Sequence, residues 1–72
     1  MLVGVPKEIK NQESRVGLTP ASVKELTLRG HQVLVQHNAG AAIGLTDEMY
    51  IGSGATIAAT AEEIFAKAEM IV

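Results

Sequence analysis

The sequence predicts an α/β fold of Rossmann-like βα units on a parallel sheet, and three observations carry that prediction. Leu2-Val3-Gly4-Val5, Val33-Leu34-Val35 and Met70-Ile71-Val72 are apolar runs of strand length without polar alternation, as expected of strands covered on both faces. Helix-start chemistry separates them at Thr19-Pro20, Thr46-Asp47-Glu48 and Thr60-Ala61-Glu62-Glu63. Strand and helix alternate at roughly thirty-residue spacing, the signature of consecutive crossover units.

The first strand, Leu2 to Val5, ends at Pro6. A long charged loop follows from Pro6 to Leu18, holding Lys7, Glu8, Lys10, Glu13, Arg15 and Gly17, whereas strand-to-helix connections usually take about 2–6 residues. Loops at the carboxyl end of a parallel strand are where such folds place ligands. Thr19 then caps a helix with Pro20 at its first position, Leu18 stapled to Val23, Val23 and Leu26 on the buried face, and Gly30 as the stop.

A second strand spans His31 to His37 around a β-branched centre. Asn38 to Gly44 is a small-residue turn, and a short helix capped by Thr46 runs through Tyr50 to stop near Gly52-Ser53-Gly54. Ala55 to Ala58 is a third short strand. Thr60-Ala61-Glu62-Glu63 is a capping box for a helix with Ile64, Phe65 and Ala68 on its inner side, and Met70-Ile71-Val72 opens a fourth strand. An apolar strand at that point is expected of the front part of a larger domain.

Seventy-two residues allow one small domain, and a chain of this size buries only about 60% of its unfolded surface. Tyr50 and Phe65 are its only aromatic residues, so Val, Ile, Leu, Met and Ala must fill the core, with Met49 and Met70 as filler. No cysteine is present, which removes disulfides and thiolate metal sites and fits a cytoplasmic location. A net charge of −2 with scattered cations gives no field for a phosphate backbone, which argues against nucleic acid. The opening residues lack the basic flank and apolar length of a secretory signal or membrane span.

Arg15 leads the candidates for chemistry, because a guanidinium on a loop above a parallel sheet can clamp a carboxylate through two parallel hydrogen bonds. The plainer alternative is a solvated arginine paired with Glu13 or Glu8. Lys7 could help neutralise an anion, and Glu8 could orient either cation. Gly40-Ala41-Ala42-Ile43-Gly44 has the look of a dinucleotide turn, but Ala42 breaks G-x-G-x-x-G and the segment follows the second strand, so a tight turn is the reading. His31 and His37 flank one strand and lie about 20 Å apart along it, too far to share a metal. His31, directly after the helix-ending glycine, is expected to meet the helix's last carbonyls. Ser14, Ser22 and Ser53 have no histidine beside them in sequence to support a nucleophile. No catalytic, metal-binding or cofactor-binding residue is assigned within the chain.

Gly4-Val5-Pro6-Lys7-Glu8-Ile9-Lys10-Asn11, Glu13-x-Arg15-Val16-Gly17-Leu18-Thr19-Pro20, Ala39-Gly40 and Gly54-Ala55 together resemble the amino-terminal part of the alanine dehydrogenase family. The resemblance runs the whole length, and Ala61 to Val72 is similar to the segment that in this family leads into a strand bearing a catalytic lysine. It implies the amino-terminal part of a substrate domain, residues 1–72, with the dinucleotide-binding domain outside the chain. It further implies reversible NAD-dependent deamination of L-alanine to pyruvate and ammonia by a homohexamer. Arg15 matches the family arginine that binds the substrate carboxylate. Ala42 departs from the glycine common at its turn, and Gln12 and Ser14 differ from frequent family choices. Without a cofactor site or a full acid–base set, the chain alone is expected to be inactive. The rival readings are the related transhydrogenase α-subunit and a free-standing anion-binding module.

Overall fold

The computed structural model describes residues 1–10, 13–15 and 17–72. The chain order is β1 (Leu2–Val5), β2 (Glu8–Lys10), β3 (Glu13–Arg15), α1 (Pro20–Leu28), β4 (Gln32–Gln36), a 3-10 turn at Ala41–Ile43, α2 (Asp47–Gly52), β5 (Thr56–Ala58), α3 (Ala61–Lys67) and β6 (Met70–Ile71). Four strands form one parallel sheet in the order β5-β4-β1-β6, with Val3 opposite Val33 and Met70, and Val35 opposite Ile57. The α/β architecture and the four strands of this sheet match the sequence reading.

The charged loop does not. Within it β2 and β3 pair as an antiparallel hairpin, Glu8 opposite Arg15 and Lys10 opposite Glu13. Neither segment has the apolar alternation by which a strand is recognised, so the pairing leaves little trace in composition.

Period-two alternation divides the sheet into two faces. Val3, Val5, Val33 and Val35 are buried on one side against Val23 of α1 and Tyr50 of α2, together with Ala39 and Ala55. Leu34 and Ala58 lie on the other side under Ile64 of α3, with Leu2 and Ala68 partly buried beside them. Gly4 belongs to this second face. A Cβ there would meet Ile64 Cγ2 at 2.5 Å and Ala68 Cβ at 2.7 Å, so the missing side chain lets α3 lie close on β1.

The helix ends follow their sequence signals. Thr19 Oγ1 accepts from the Ser22 N–H at 3.3 Å with Pro20 at the first position, and Leu18 packs on the core that Val23 enters. Thr60 accepts from the Glu63 N–H, with Glu62 and Glu63 in the first turn and Lys67 in the last, but the return bond from the Glu63 side chain that the expected capping box requires is absent among the described residues. The reciprocal half of a capping box is made at Thr46, which accepts from the Met49 N–H and donates its own N–H to Met49 Sδ at 3.4 Å.

Three expectations about apolar residues are corrected. Phe65 is 61% exposed: Ile64 and Ala68 share one helix face four residues apart, while Phe65 is turned about 100° from Ile64. Met49 is exposed because α2 inserts Tyr50, and its sulfur serves the cap instead. Met70 is exposed on β6, a two-residue strand at the sheet edge.

Candidate functional site

The strand order sets the place to look. In chain order the sheet grows from β1 to β4 to β5 on one side, and then returns to the other side of β1 with β6. The direction of growth reverses between β1 and β6, and in open parallel sheets the crevice beyond the carboxyl ends of two such strands is the usual ligand position.

The hairpin stands at this crevice. It leaves β1 through Pro6 and Lys7 and returns at Gly17, where a Cβ would lie 2.8 Å from the carbonyl oxygen of Val72 and 2.9 Å from its carbonyl carbon. Val72 follows β6 directly and donates its N–H to the Gly4 carbonyl at 3.0 Å. Gly17 is thus required by the close passage of the backbone leaving β6, and Arg15 lies two residues before that contact. The side chains of Glu8, Glu13, Ser14 and Arg15 lie outside the described residues, as do Asn11, Gln12 and Val16, so the backbone register is what the structure contributes here.

Both ends of the excursion are tied to the scaffold. Gln36, the last residue of β4, accepts the Lys7 N–H on its side-chain oxygen at 2.7 Å. Tyr50, fully buried in α2, donates its hydroxyl to the Leu18 carbonyl at 2.8 Å. Burial pushes the Tyr50 phenol above its ordinary pKa, so it remains a donor across the neutral range. Between these ties, β3 lies against the 3-10 turn at Ala41–Ile43.

That contact also decides the Gly40 to Gly44 segment. It forms a three-residue 3-10 turn after β4, opens no helix that could face a pyrophosphate, and is occupied on one side by the hairpin. The residues described here do not fit a dinucleotide cradle.

The two histidines lie apart, at opposite ends of β4. His31 meets the end of α1 through its main-chain N–H, which donates to the Leu26 carbonyl at 3.1 Å, while its ring Nδ1 is buried without a hydrogen-bond partner. His37 Nδ1 hydrogen-bonds Asp47 Oδ2, and Asp47 Oδ1 accepts the Asn38 N–H at 2.9 Å. Burial alone would raise the Asp47 carboxyl, but the Asn38 N–H, the His37 hydrogen bond and the His37 charge together hold it below the ordinary carboxylate value. This cluster fixes Asn38, whose φ of 61° turns the chain out of β4. Ser53 donates to the Met49 carbonyl and Ser22 supports the α1 cap, both local helix-end roles. Among the described residues no group of three or more His, Cys, Asp or Glu could hold a metal ion.

Sequence reasoning singled out Arg15 and Lys7 but not Gln36, Tyr50 or the Asp47 cluster. Gln36 and Tyr50 act on main-chain groups 29 and 32 positions away, a relation that local spacing does not reveal.

Comparison with known proteins gives one consistent answer. The family described as "Alanine dehydrogenase/PNT, N-terminal domain" matches residues 4–72. The chain is 54% identical over all 72 residues to the alanine dehydrogenase of Methanococcus maripaludis, and 47% identical over 72 residues to that of Bacillus subtilis. In both cases it spans 19% of the relative, about a fifth of its length. A solved L-alanine dehydrogenase superposes with a TM-score of 0.94 at 46% identity, over the whole of this chain and 20% of the other. A transhydrogenase from Sinorhizobium meliloti superposes with a TM-score of 0.87 at 32% identity, over 99% of this chain and 21% of the other. Matched by this family over residues 4–72 and aligned over its whole length with alanine dehydrogenases in sequence and in structure, the chain belongs to the alanine dehydrogenase/PNT N-terminal domain family.

Proposed function

We propose that residues 1–72 form the amino-terminal part of the substrate domain of an NAD-dependent alanine dehydrogenase, with Arg15 as the residue that holds the carboxylate of L-alanine or pyruvate. The observation that supports this most is the meeting of the hairpin bearing Arg15 with the carboxyl end of β6 at the switch point, through Gly17 and Val72. A guanidinium there would offer a planar fork to a carboxylate. The reaction is reversible oxidative deamination of L-alanine to pyruvate and ammonia. NAD would be bound by a dinucleotide-binding domain outside residues 1–72. We extend the proposal, on the family resemblance, to a homohexameric assembly and a cytoplasmic location. No helix among the described residues is long and apolar enough to cross a membrane. The dehydrogenase reading stands ahead of the transhydrogenase because identity is 46% to the solved dehydrogenase and 32% to the solved transhydrogenase.

The test joins residues 1–72 to the remainder of the Methanococcus maripaludis alanine dehydrogenase and follows alanine-dependent reduction of NAD and, in the reverse direction, oxidation of NADH with pyruvate and ammonia. An active chimera whose KM for pyruvate rises by about tenfold or more in Arg15→Met, and partly recovers in Arg15→Lys, agrees with a charge-assisted carboxylate contact. An unchanged KM in Arg15→Met would remove Arg15 from substrate recognition. The 72-residue chain alone is expected to show no turnover, and measurable alanine oxidation by it would overturn the division of labour proposed here.

A further inference from the structure

We infer that Gln36 and Tyr50 are positioning residues for substrate recognition, two tethers that hold the Arg15 hairpin over the switch point from its opposite ends. The inference rests on the carboxylate role proposed for Arg15 and adds how that role is held in place. Among the described residues, β2 and β3 pair with each other and with no strand of the four-stranded sheet. The described contacts that place the hairpin lie at its two ends and on one flank.

At the leading end, the Gln36 side chain reaches from the tip of β4 to the first amide after Pro6. Lys7 N–H is the first donor available beyond β1, because proline has none. At the trailing end, Tyr50 reaches from α2 to the carbonyl immediately after Gly17. A phenol fixed by burial in the main core is a rigid arm with only two side-chain torsions. The flank is the 3-10 turn against β3, and that turn is itself suspended between β4 and α2, the elements that supply the tethers. Arg15 is three residues from the Tyr50 contact, and Glu8, its register partner, is one residue from the Gln36 contact. A bidentate carboxylate contact tolerates only roughly 0.5 Å of misplacement, so Arg15 needs a hairpin that is held against tilting.

The experiment uses the chimera with Gln36→Met, which keeps length but removes the acceptor, and Tyr50→Phe, which removes only the hydroxyl. Each is expected to raise the KM for pyruvate about fivefold, the effect of one misplaced hydrogen bond, with kcat within about twofold of the parent. An unchanged KM in both variants would overturn the inference, as would kcat falling with the melting temperature while KM stays fixed. Arg15→Met in the same chimera separates the two ideas. If it leaves KM unchanged, the carboxylate role fails, and the tethers are judged by hydrogen exchange in the chimera, read on peptides that cover the hairpin. There, faster exchange around Lys7 in Gln36→Met, slow exchange retained in Gln36→Glu, and faster exchange around Gly17 in Tyr50→Phe support the tethers; parent-like exchange in both Gln36→Met and Tyr50→Phe refutes them.

Discussion

The two faces of the parallel sheet are built differently. One carries α1 and α2 over a cluster of eight buried residues that includes Tyr50, while the other carries α3 alone over Leu34, Ala58 and Ile64, counted among the described residues. The difference tracks the sequence: Val3, Val5, Val33 and Val35 point to the thick face, whereas their neighbours Gly4 and Leu34 face α3. Gly4 thins the second face deliberately in space, because α3 approaches β1 where a side chain would stand. Helix α3 is thus held by few side chains at short range, and α1 and α2 by many.

The largest expected effect follows from that asymmetry. Ile64→Ala removes the largest buried side chain of the thin face and should cost about 3 kcal/mol, against about 2 for Val23→Ala on the thick face. The pattern of loss distinguishes them further. Hydrogen exchange should accelerate in α3 and β6 for Ile64→Ala while β4 stays protected, and should accelerate throughout for Val23→Ala; equal acceleration everywhere in both would dissolve the contrast. Gly4→Ala should cost about 1–3 kcal/mol by overpacking α3, and less when combined with Ile64→Ala, because the contact with Ile64 Cγ2 is then relieved while that with Ala68 Cβ stays. Strict additivity in a denaturant-melt cycle would refute that contact.

A smaller effect compares the caps of the two faces. Thr46 and Thr60 each accept one helix N–H on the hydroxyl, so Thr46→Ala and Thr60→Ala should each cost about 1 kcal/mol, while Met49→Leu, which removes the sulfur that accepts the Thr46 N–H, should cost about 0.5. An unchanged denaturant midpoint in Met49→Leu would show that the sulfur contributes nothing. The smallest effect is acidic. Asp47 titrates below its ordinary value of 3.8 in the folded chain, so its contribution is complete above that value and is lost as pH falls through the lower folded pKa. The melting temperature of Asp47→Asn should therefore fall less than the parent's as pH is lowered through this range, and parallel curves would remove Asp47 from the acid response.

What could be read from the sequence divides along the same physical line. Strands β1 and β4 are legible because a strand covered on both faces must be a short apolar run, β6 because it is such a run even though it lies exposed at the sheet edge, and the helices because Thr-Pro, Thr-Asp-Glu and Thr-x-Glu-Glu mark their starts. The hairpin is illegible because Glu8-Ile9-Lys10 and Glu13-Ser14-Arg15 have no apolar face, so their pairing comes from backbone bonds and neighbouring contacts. Phe65 misleads because size suggests burial while the angle from Ile64 and Ala68 turns it outward. Of the candidate site, the Arg15 loop is visible as an over-long charged connection, whereas its tethers require the fold to bring Gln36 and Tyr50 to it.

The order β5-β4-β1-β6 also has a consequence in time. Pairing β1 with β4 joins residues about thirty positions apart, whereas β6 reaches β1 across sixty-seven, as in the bonds between Leu2 and Glu69. Closing the larger loop costs more chain entropy and is rewarded only by a two-residue strand, so β6 is expected to dock after the β1–α1–β4 unit has formed. Amide protection in pulse-labelled refolding should appear at Val33 and Val35 before Val72, and simultaneous protection would refute this order. The crevice between the earliest and the latest strand is then the last part of the molecule to acquire its shape.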